Sequence, residues 1–299
     1  MALPRRLYLF DGSAFVYRAY HALPPLRTKD GFPTGAVFGF LRTFLAFLKE
    51  KSPTFVGVVF DSPKKSFRSE LYADYKARRK PAPDDLKRQI PVIKDLLKLL
   101  GVPLVEVEGV EADDAIATLA KTFSQKGWEV VVYTPDKDMA YLLSFGRVKL
   151  VNPLTGEEIT EEKVLKKFGV RPEQIPDYLA LVGDKVDNVP GVPGVGPKRA
   201  VEVLSRYGSV ENLVRNWDRL PSDLKRLLSK TSPRELLKWL ELTRLKTDLD
   251  LPLGEEDLKL KKPDWERLKN ELLRLEMKSL LKEVERLRRE TPLGQKKLF

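Results

Sequence analysis

FVGVVFD, residues 55–61, is an unbroken apolar and β-branched run that ends on a carboxylate. A run this short, with no polar alternation, reads as a strand covered on both faces, the pattern of a parallel sheet. The same reading applies to LYLFDG at 7–12 and to WEVVVYTPD at 128–136. Between these runs lie helical patterns: Gly35–Lys49 with Pro53 beyond its end, Pro91–Leu100 stopped by Gly101, and Ala112–Phe123. Leu104–Val107 reads as a further short strand. Strands alternating with helices predict an α/β fold, with a mainly parallel central sheet flanked by helices on both faces.

From about Pro176 the strand signals stop. Helical spacing covers Tyr178–Val182, Pro197–Tyr207, Val210–Asn216, Pro221–Ser229, Pro233–Thr243 and Trp265–Arg289. The expected organisation is therefore an α/β domain over 1–175, a helical domain over 176–289 and a flexible tail over 290–299. One segment departs from the alternation. Ser62–Arg88 carries nine Lys/Arg against four acids, is broken by Pro81 and Pro83, and is longer than ordinary connections.

The chain has 299 residues, a net charge of +11, no cysteine and one histidine, His21. Disulfides, a thiol nucleophile, Cys-ligated zinc and multi-histidine metal sites are thereby excluded. A metal here would be held by oxygen, which favours Mg2+ or Mn2+. No apolar run approaches the roughly 20 residues of a membrane helix, and the first residues lack a signal-peptide pattern. The expected location is cytoplasmic, with no membrane contact. A basic balance of this size points to a polyanion, most often nucleic acid; the bland alternative is a solubilising surface charge.

Acids stand directly after the apolar strands: Asp11, Asp61 and the pair Asp136/Asp138. In an open α/β sheet the carboxyl ends of strands form the ligand edge. Glu111, Asp113 and Asp114 open a helix, and Asp184 and Asp187 lie three apart in GDKVDN at 183–188. Any one of these reads most simply as a cap or turn residue. Together, nine carboxylates converging in a basic protein would repel one another unless cations neutralise them. Two divalent ions roughly 3.5–4 Å apart would clamp a phosphodiester.

PGVPGVGPKR, residues 190–199, lies between two helical patterns. Gly191, Gly194 and Gly196 permit close backbone approach, and Pro197 suits a first helical position. Such a turn presents N–H groups and a helix start to a phosphate, with Lys198 and Arg199 adding charge. This is a helix–hairpin–helix type of backbone clamp, blind to base sequence. In the basic segment, Phe67, Arg68, Tyr72, Tyr75, Lys76, Arg78, Arg79 and Lys80 interleave rings with cations, which suits a single strand.

With these pieces placed, the chain resembles the bacterial 5′–3′ exonuclease/flap endonuclease family, the 5′ nuclease domain found at the start of DNA polymerase I or as a free-standing protein. The motifs are FDG at 10–12 with YRA at 17–19 and HAL at 21–23, VVFD at 58–61, Phe67-Arg68, YKARR at 75–79, GVEADD at 109–114, TPDKD at 134–138, GDKVDN at 183–188 and the glycine turn. The resemblance implies that Asp11, Asp61, Glu111, Asp113, Asp114, Asp136, Asp138, Asp184 and Asp187 ring two or more Mg2+ or Mn2+ ions. Asp11, Asp61, Glu111 and Asp113 would lie nearer the first, Asp138, Asp184 and Asp187 nearer the second, and Asp136 between. Residues 62–90 would be a helical arch passing a 5′ single strand. There Lys76 and Arg79 would act with Asp11 and Asp136 as the catalytic set at the scissile phosphate, and Tyr75 would stack on a base. Arg18, Arg68, Arg78, Lys198, Arg199 and the three glycines would contact DNA, with K+ expected on the turn's carbonyls. Many relatives have Asn where this chain has Arg78. With no second histidine, His21 reads as structural.

The implied activity is structure-specific hydrolysis of 5′ flaps, nicked duplexes and RNA-primed ends by two metals, in replication and repair, by a monomer. The tail ends QKKLF, and Gln295, Leu298 and Phe299 resemble a sliding-clamp-binding peptide. The alternatives are a non-catalytic DNA-binding or clamp-tethered scaffold, which would be expected to show gaps in the acidic set, and an RNA-degrading nuclease on the same acidic edge, against which the glycine turn argues.

Overall fold

The computed structural model describes residues 5–290; Gln295, Leu298 and Phe299 lie outside the described residues. The first part of the chain runs β1 (Arg6–Asp11), α1 (Gly12–Ala22), α2 (Gly35–Lys51), β2 (Phe55–Phe60), α3 (Phe67–Leu71), α4 (Asp84–Leu99), β3 (Leu104–Glu106), α5 (Ala112–Gln125) and β4 (Glu129–Tyr133). A 3₁₀ stretch over Asp138–Phe145 leads to β5 (Val148–Val151), β6 (Glu158–Ile159) and α6 (Glu161–Phe168). Then come α7 (Ile175–Val182), α8 (Pro197–Tyr207), α9 (Val210–Arg215), α10 (Ser222–Leu228), α11 (Pro233–Thr243), α12 (Trp265–Arg274) and α13 (Lys278–Glu290). No helix among the described residues is long and apolar enough to cross a membrane.

The strands form one sheet in the order β3-β2-β1-β4-β5-β6, parallel throughout except for β6. Strand alternation sends Leu7 and Leu9 into one core layer and Tyr8 and Phe10 into the other. On the second side Phe10 stacks on Tyr133, centroids 4.4 Å apart, and meets Phe44 and Phe47 of α2 edge-on. The chain runs outward from β1 through β2 to β3, then crosses back to β4. The sheet's order therefore reverses between β1 and β4, and a crevice opens at the carboxyl ends of strands at such a point. Asp11 ends β1, and Asp136 follows β4.

Four departures from the sequence reading have local causes. First, α4 begins at Asp84 and contains Pro91, which removes one helical hydrogen bond. Its first turns are anchored nonetheless: buried Gln89 accepts from the amides of Ala36 and Val37 at 2.8 and 3.2 Å, capping α2. Second, the segment expected as an arch over 62–90 contains only the short α3, turns through Arg79 and the start of α4. Third, Trp265–Arg289 is two helices, parted at Glu276, whose φ is +58°. Fourth, α12 and α13 do not join the helical domain assigned to 176–289. Leu268, Leu272, Leu280 and Val284 pack with α2 and α4 in the second core layer. The chain re-enters that layer along a seam in which Leu260, Lys261 and Asp264 donate to the carbonyls of Thr54, Gly101 and Leu99 at 2.9, 2.8 and 2.7 Å. The other core layer is continuous from Leu9 and Val130 of the sheet to Leu181, Leu204 and Leu240 of the helical segment.

Candidate active site

Asp11 closes β1 and caps α1, accepting from Ala14 N at 3.0 Å and from the Thr134 hydroxyl at 2.9 Å. Gly12 follows because a side chain there would strike Val58 at 2.8 Å and the Val59 carbonyl at 2.9 Å. Asp61, just past β2, accepts from Ala112 N at 2.8 Å, which fixes the start of α5 against it. Asp136 folds back on β4, its amide donating to Thr134 Oγ1 at 3.0 Å, and its carboxylate accepts from Asp138 N at 2.9 Å. Asp184 accepts from Val186 N at 2.8 Å in the turn between α7 and the glycine hairpin.

Glu111, Asp113, Asp136, Asp138, Asp184 and Asp187 line one cavity of about 50 Å³. Charge couples the others to it. Burial pushes Asp11 up to about 7 against its hydrogen bonds from Ala14 and Thr134, with Asp61 and Asp136 adding to the rise. Burial pushes Asp113 well above the carboxylate range, helped by Asp11, Asp136 and Asp61. Asp138 is pushed up to about 7 by burial, then Asp136 and Asp184, and Asp184 is raised by burial and Asp187. Among the described residues no three of these acids already form a finished ligand set. They are an oxygen-rich cluster whose charge the chain leaves largely unneutralised, and that fits a hard divalent cation.

Cations of the basic segment stand on one flank. Lys76 Nζ lies 2.8 Å from Glu111 Oε2 and 3.7 Å from Asp187 Oδ2, and Arg79 donates to Asp187 Oδ1 at 2.8 Å. Burial would pull the Lys76 ammonium down, but Asp187 and then Glu111 hold it above the usual lysine range. Burial opposes ionisation of Glu111, yet Lys76 and Arg68 hold it below its ordinary value.

Several site expectations need correction. Asp114 is not in the cluster. Its carboxylate, 1% exposed, pairs with Arg68 at 2.5 and 2.8 Å and accepts from Lys246 N at 2.8 Å. Arg68 in turn donates to the carbonyls of Leu242 and Arg244, so none of its guanidinium is offered to DNA. Tyr75 presents no open ring: it is buried, and its hydroxyl donates to Asp187 at 3.0 Å and Glu111 at 3.2 Å. Gly191 is buried with φ +68°, and a Cβ there would lie 2.4 Å from Gly183 N, so its lack of a side chain serves chain packing. By contrast Gly194, φ +85°, and Gly196, which starts α8, are exposed, and nothing stands within 4 Å of a Cβ at Gly196. Arg18, Arg78, Lys198 and Arg199 are exposed. His21 is exposed at the end of α1, its ring edge-on to Tyr17 and Tyr20.

Sequence reasoning gave no role to Thr134, Ser13 or Ser66. Thr134, fully buried, bridges Asp11 and Asp136; Ser13 Oγ accepts from Asp61 N at 2.9 Å; Ser66 donates to Glu111 at 2.6 Å. The available signal was a hydroxyl residue within two positions of a candidate acid for Ser13 and Thr134, and none for Ser66.

Residues 6–169 match the family described as 5′-3′ exonuclease, N-terminal resolvase-like domain, and residues 170–266 match 5′-3′ exonuclease, C-terminal SAM fold. A 5′-3′ exonuclease of Aquifex aeolicus is 54% identical over 295 residues, covering 99% of this chain and 100% of that protein. Thermostable DNA polymerase I of Thermus thermophilus is 45% identical over 290 residues, 97% of this chain but 34% of the polymerase. Among solved structures, bacteriophage T5 5′-exonuclease with bound zinc shares the fold at a TM-score of 0.66 and 23% identity, covering 95% of this chain and 98% of the other. The catalytic core of Rad2 with a DNA substrate does so at 0.61 and 17%, covering 95% and 92%. The acidic crevice at the reversal point of the sheet thus belongs to a member of the 5′–3′ exonuclease family.

Proposed function

We propose that this member of the family hydrolyses phosphodiester bonds in 5′ flaps, nicked duplexes and RNA-primed ends, with two divalent cations, Mg2+ or Mn2+, held at the acidic edge. The observation that carries the reading is the cavity into which acids from three separate segments, 111–113, 136–138 and 184–187, converge beside Lys76 and Arg79. Asp136 raises Asp11 together with Asp61, and Asp138 together with Asp184 and Asp187, so its charge is felt by two sets of acids. That division supports one ion in each. When bound, such ions supply Lewis acidity toward the phosphoryl oxygens and lower the pKa of water.

The chain's own residues do the rest. Lys76 and Arg79, now spent on Glu111 and Asp187, are the nearest cations for the charge that grows on phosphate in the transition state. Thr134 holds Asp11 and the Asp136 turn in register through opposite sides of one hydroxyl. Gly194, Gly196, Lys198 and Arg199 offer backbone and charge to the duplex downstream, and Arg18 and Arg78 add exposed cations; a K+ on the hairpin carbonyls would suit the same contact. The partner beyond DNA, a sliding clamp held by Gln295, Leu298 and Phe299, and the monomeric state rest on the sequence alone.

The test is cleavage of a labelled 5′-flap substrate with Mg2+, with and without chelator. Asp136→Ala and Asp184→Ala should each abolish cleavage while binding in chelator persists. Full activity in either variant contradicts the metal assignment.

A further inference from the structure

Asn188 directly follows Asp187 and has none of the roles given above. Its φ is +58°, in the left-handed region, which asparagine tolerates through local bonding of its amide. That amide reaches across the fold: Nδ2 donates to the Asp74 carbonyl at 2.8 Å, between residues 114 apart in sequence. Only an NH2 can serve there, since a carbonyl accepts and never donates. One residue back, the Asp187 carbonyl accepts from Lys76 N at 2.9 Å. Two hydrogen bonds therefore fasten the turn at 74–76 to the turn at 187–188.

Lys76 itself sits at φ +56°. Lysine has neither glycine's freedom nor asparagine's local amide, and such a conformation persists only where the surroundings over-determine it. The Asp187 bond falls on the Lys76 amide and the Asn188 bond on the Asp74 carbonyl just before it, and together they supply that constraint. The conformation matters because it decides where the ammonium points, and here it points at Glu111 and Asp187.

We propose that Asn188 is a positioning residue for catalysis: by fastening the Asp74 carbonyl it holds Lys76 in register with the metal-binding carboxylates. The inference rests on the reading of Lys76 as the cation that meets the scissile phosphate. Asn188 touches no substrate in this scheme and acts only through the Lys76 turn.

The experiment is a double-mutant cycle on single-turnover cleavage of a labelled 5′-flap substrate, with Asn188→Ala, Lys76→Ala and both together. Asn188→Ala should slow cleavage about tenfold, the kinetic equivalent of one lost hydrogen bond. Affinity measured in chelator should change by less than about twofold, because no DNA contact is removed. In the Lys76→Ala background the second substitution should have no further effect. If Asn188→Ala slows the Lys76→Ala enzyme by the same factor as it slows the wild type, Asn188 works elsewhere and the proposal is overturned. Wild-type cleavage by Lys76→Ala alone would instead overturn the reading of Lys76. A second readout needs neither metal nor activity: trypsin should cut faster after Lys76, Arg78 and Arg79 in Asn188→Ala, and an unchanged rate refutes the fastening. Asn188→Gly keeps the left-handed backbone without strain and lacks only the amide, so it should reproduce both results even if the alanine variant folds poorly.

Discussion

Replacing Asp114 by alanine strands a buried guanidinium. Arg68 and Asp114 side chains are 3% and 1% exposed and share two short hydrogen bonds. Removing one member of such a pair typically costs ~3–5 kcal/mol, because the other charge stays buried without its partner. Arg68 would retain Glu111 at 3.4 Å and two backbone carbonyls, which argues for the lower end. The Lys246 amide would lose its acceptor as well, adding about 1 kcal/mol. A total of ~3–4 kcal/mol, at about 2–4 °C per kcal/mol, lowers the melting temperature by roughly 6–16 °C. The assay is thermal unfolding in chelator, followed by cleavage below both transitions, where the variant should remain active with Mg2+. A metal ligand would behave in the opposite way. Deleting one of several repelling carboxylates relieves strain, so melting in chelator would hold or rise while cleavage vanished. That combination refutes the structural role given to Asp114.

Two further outcomes follow. Gly191→Ala forces a left-handed alanine against the Gly183 backbone and should cost more than about 2 kcal/mol, whereas Gly196→Ala should cost under about 1 kcal/mol and weaken duplex binding instead; melting and filter binding check both, and a reversal of the phenotypes refutes the assignment. The metal-free protein should lose stability as pH rises from about 5.5 to 8. Asp11 and Asp138 are raised to about 7 in the fold, so the folded state holds protons there that the unfolded chain has released, and that stability is lost as pH passes their folded values. Glu111 is shifted down, so its contribution changes only below its ordinary range, outside this window. Saturating Mg2+ should flatten the slope, and a metal-free melting temperature that rises across the window contradicts the buried acidic cluster.

Much of the fold was legible because its central strands are buried on both faces. FVGVVF has no charged residue and EVVVY only Glu129 at its start, so neither alternates in a way that could mislead, and the acid beyond each marks the ligand edge. The edge of the sheet was not. β5 interposes exposed Lys149 and β6 has only two residues, so neither yields a readable run. The break at Glu276 carries no Gly or Pro, and apolar spacing runs straight across it from Leu272 to Leu280. At the site, sequence locates acids along the chain but not which cation each one meets. Asp113 and Asp114 are neighbours on α5, yet a helix turns them about 100° apart, one toward the crevice and the other toward Arg68. Gly191 and Gly196 look alike in sequence; only the path of Gly183 separates them.

The seam of Leu260, Lys261 and Asp264 has a mechanical consequence. A lobe hung on one linker can swivel about three axes. Here the helical segment leaves the sheet near α6 and is sewn back to it beside β2 and α4, so it is held like a handle riveted at both ends. Torque applied at α8 would therefore be shared between both attachments and the core layer that runs unbroken from Leu9 and Val130 to Leu204 and Leu240, so a load on the lobe reaches the sheet whose edge carries the carboxylates.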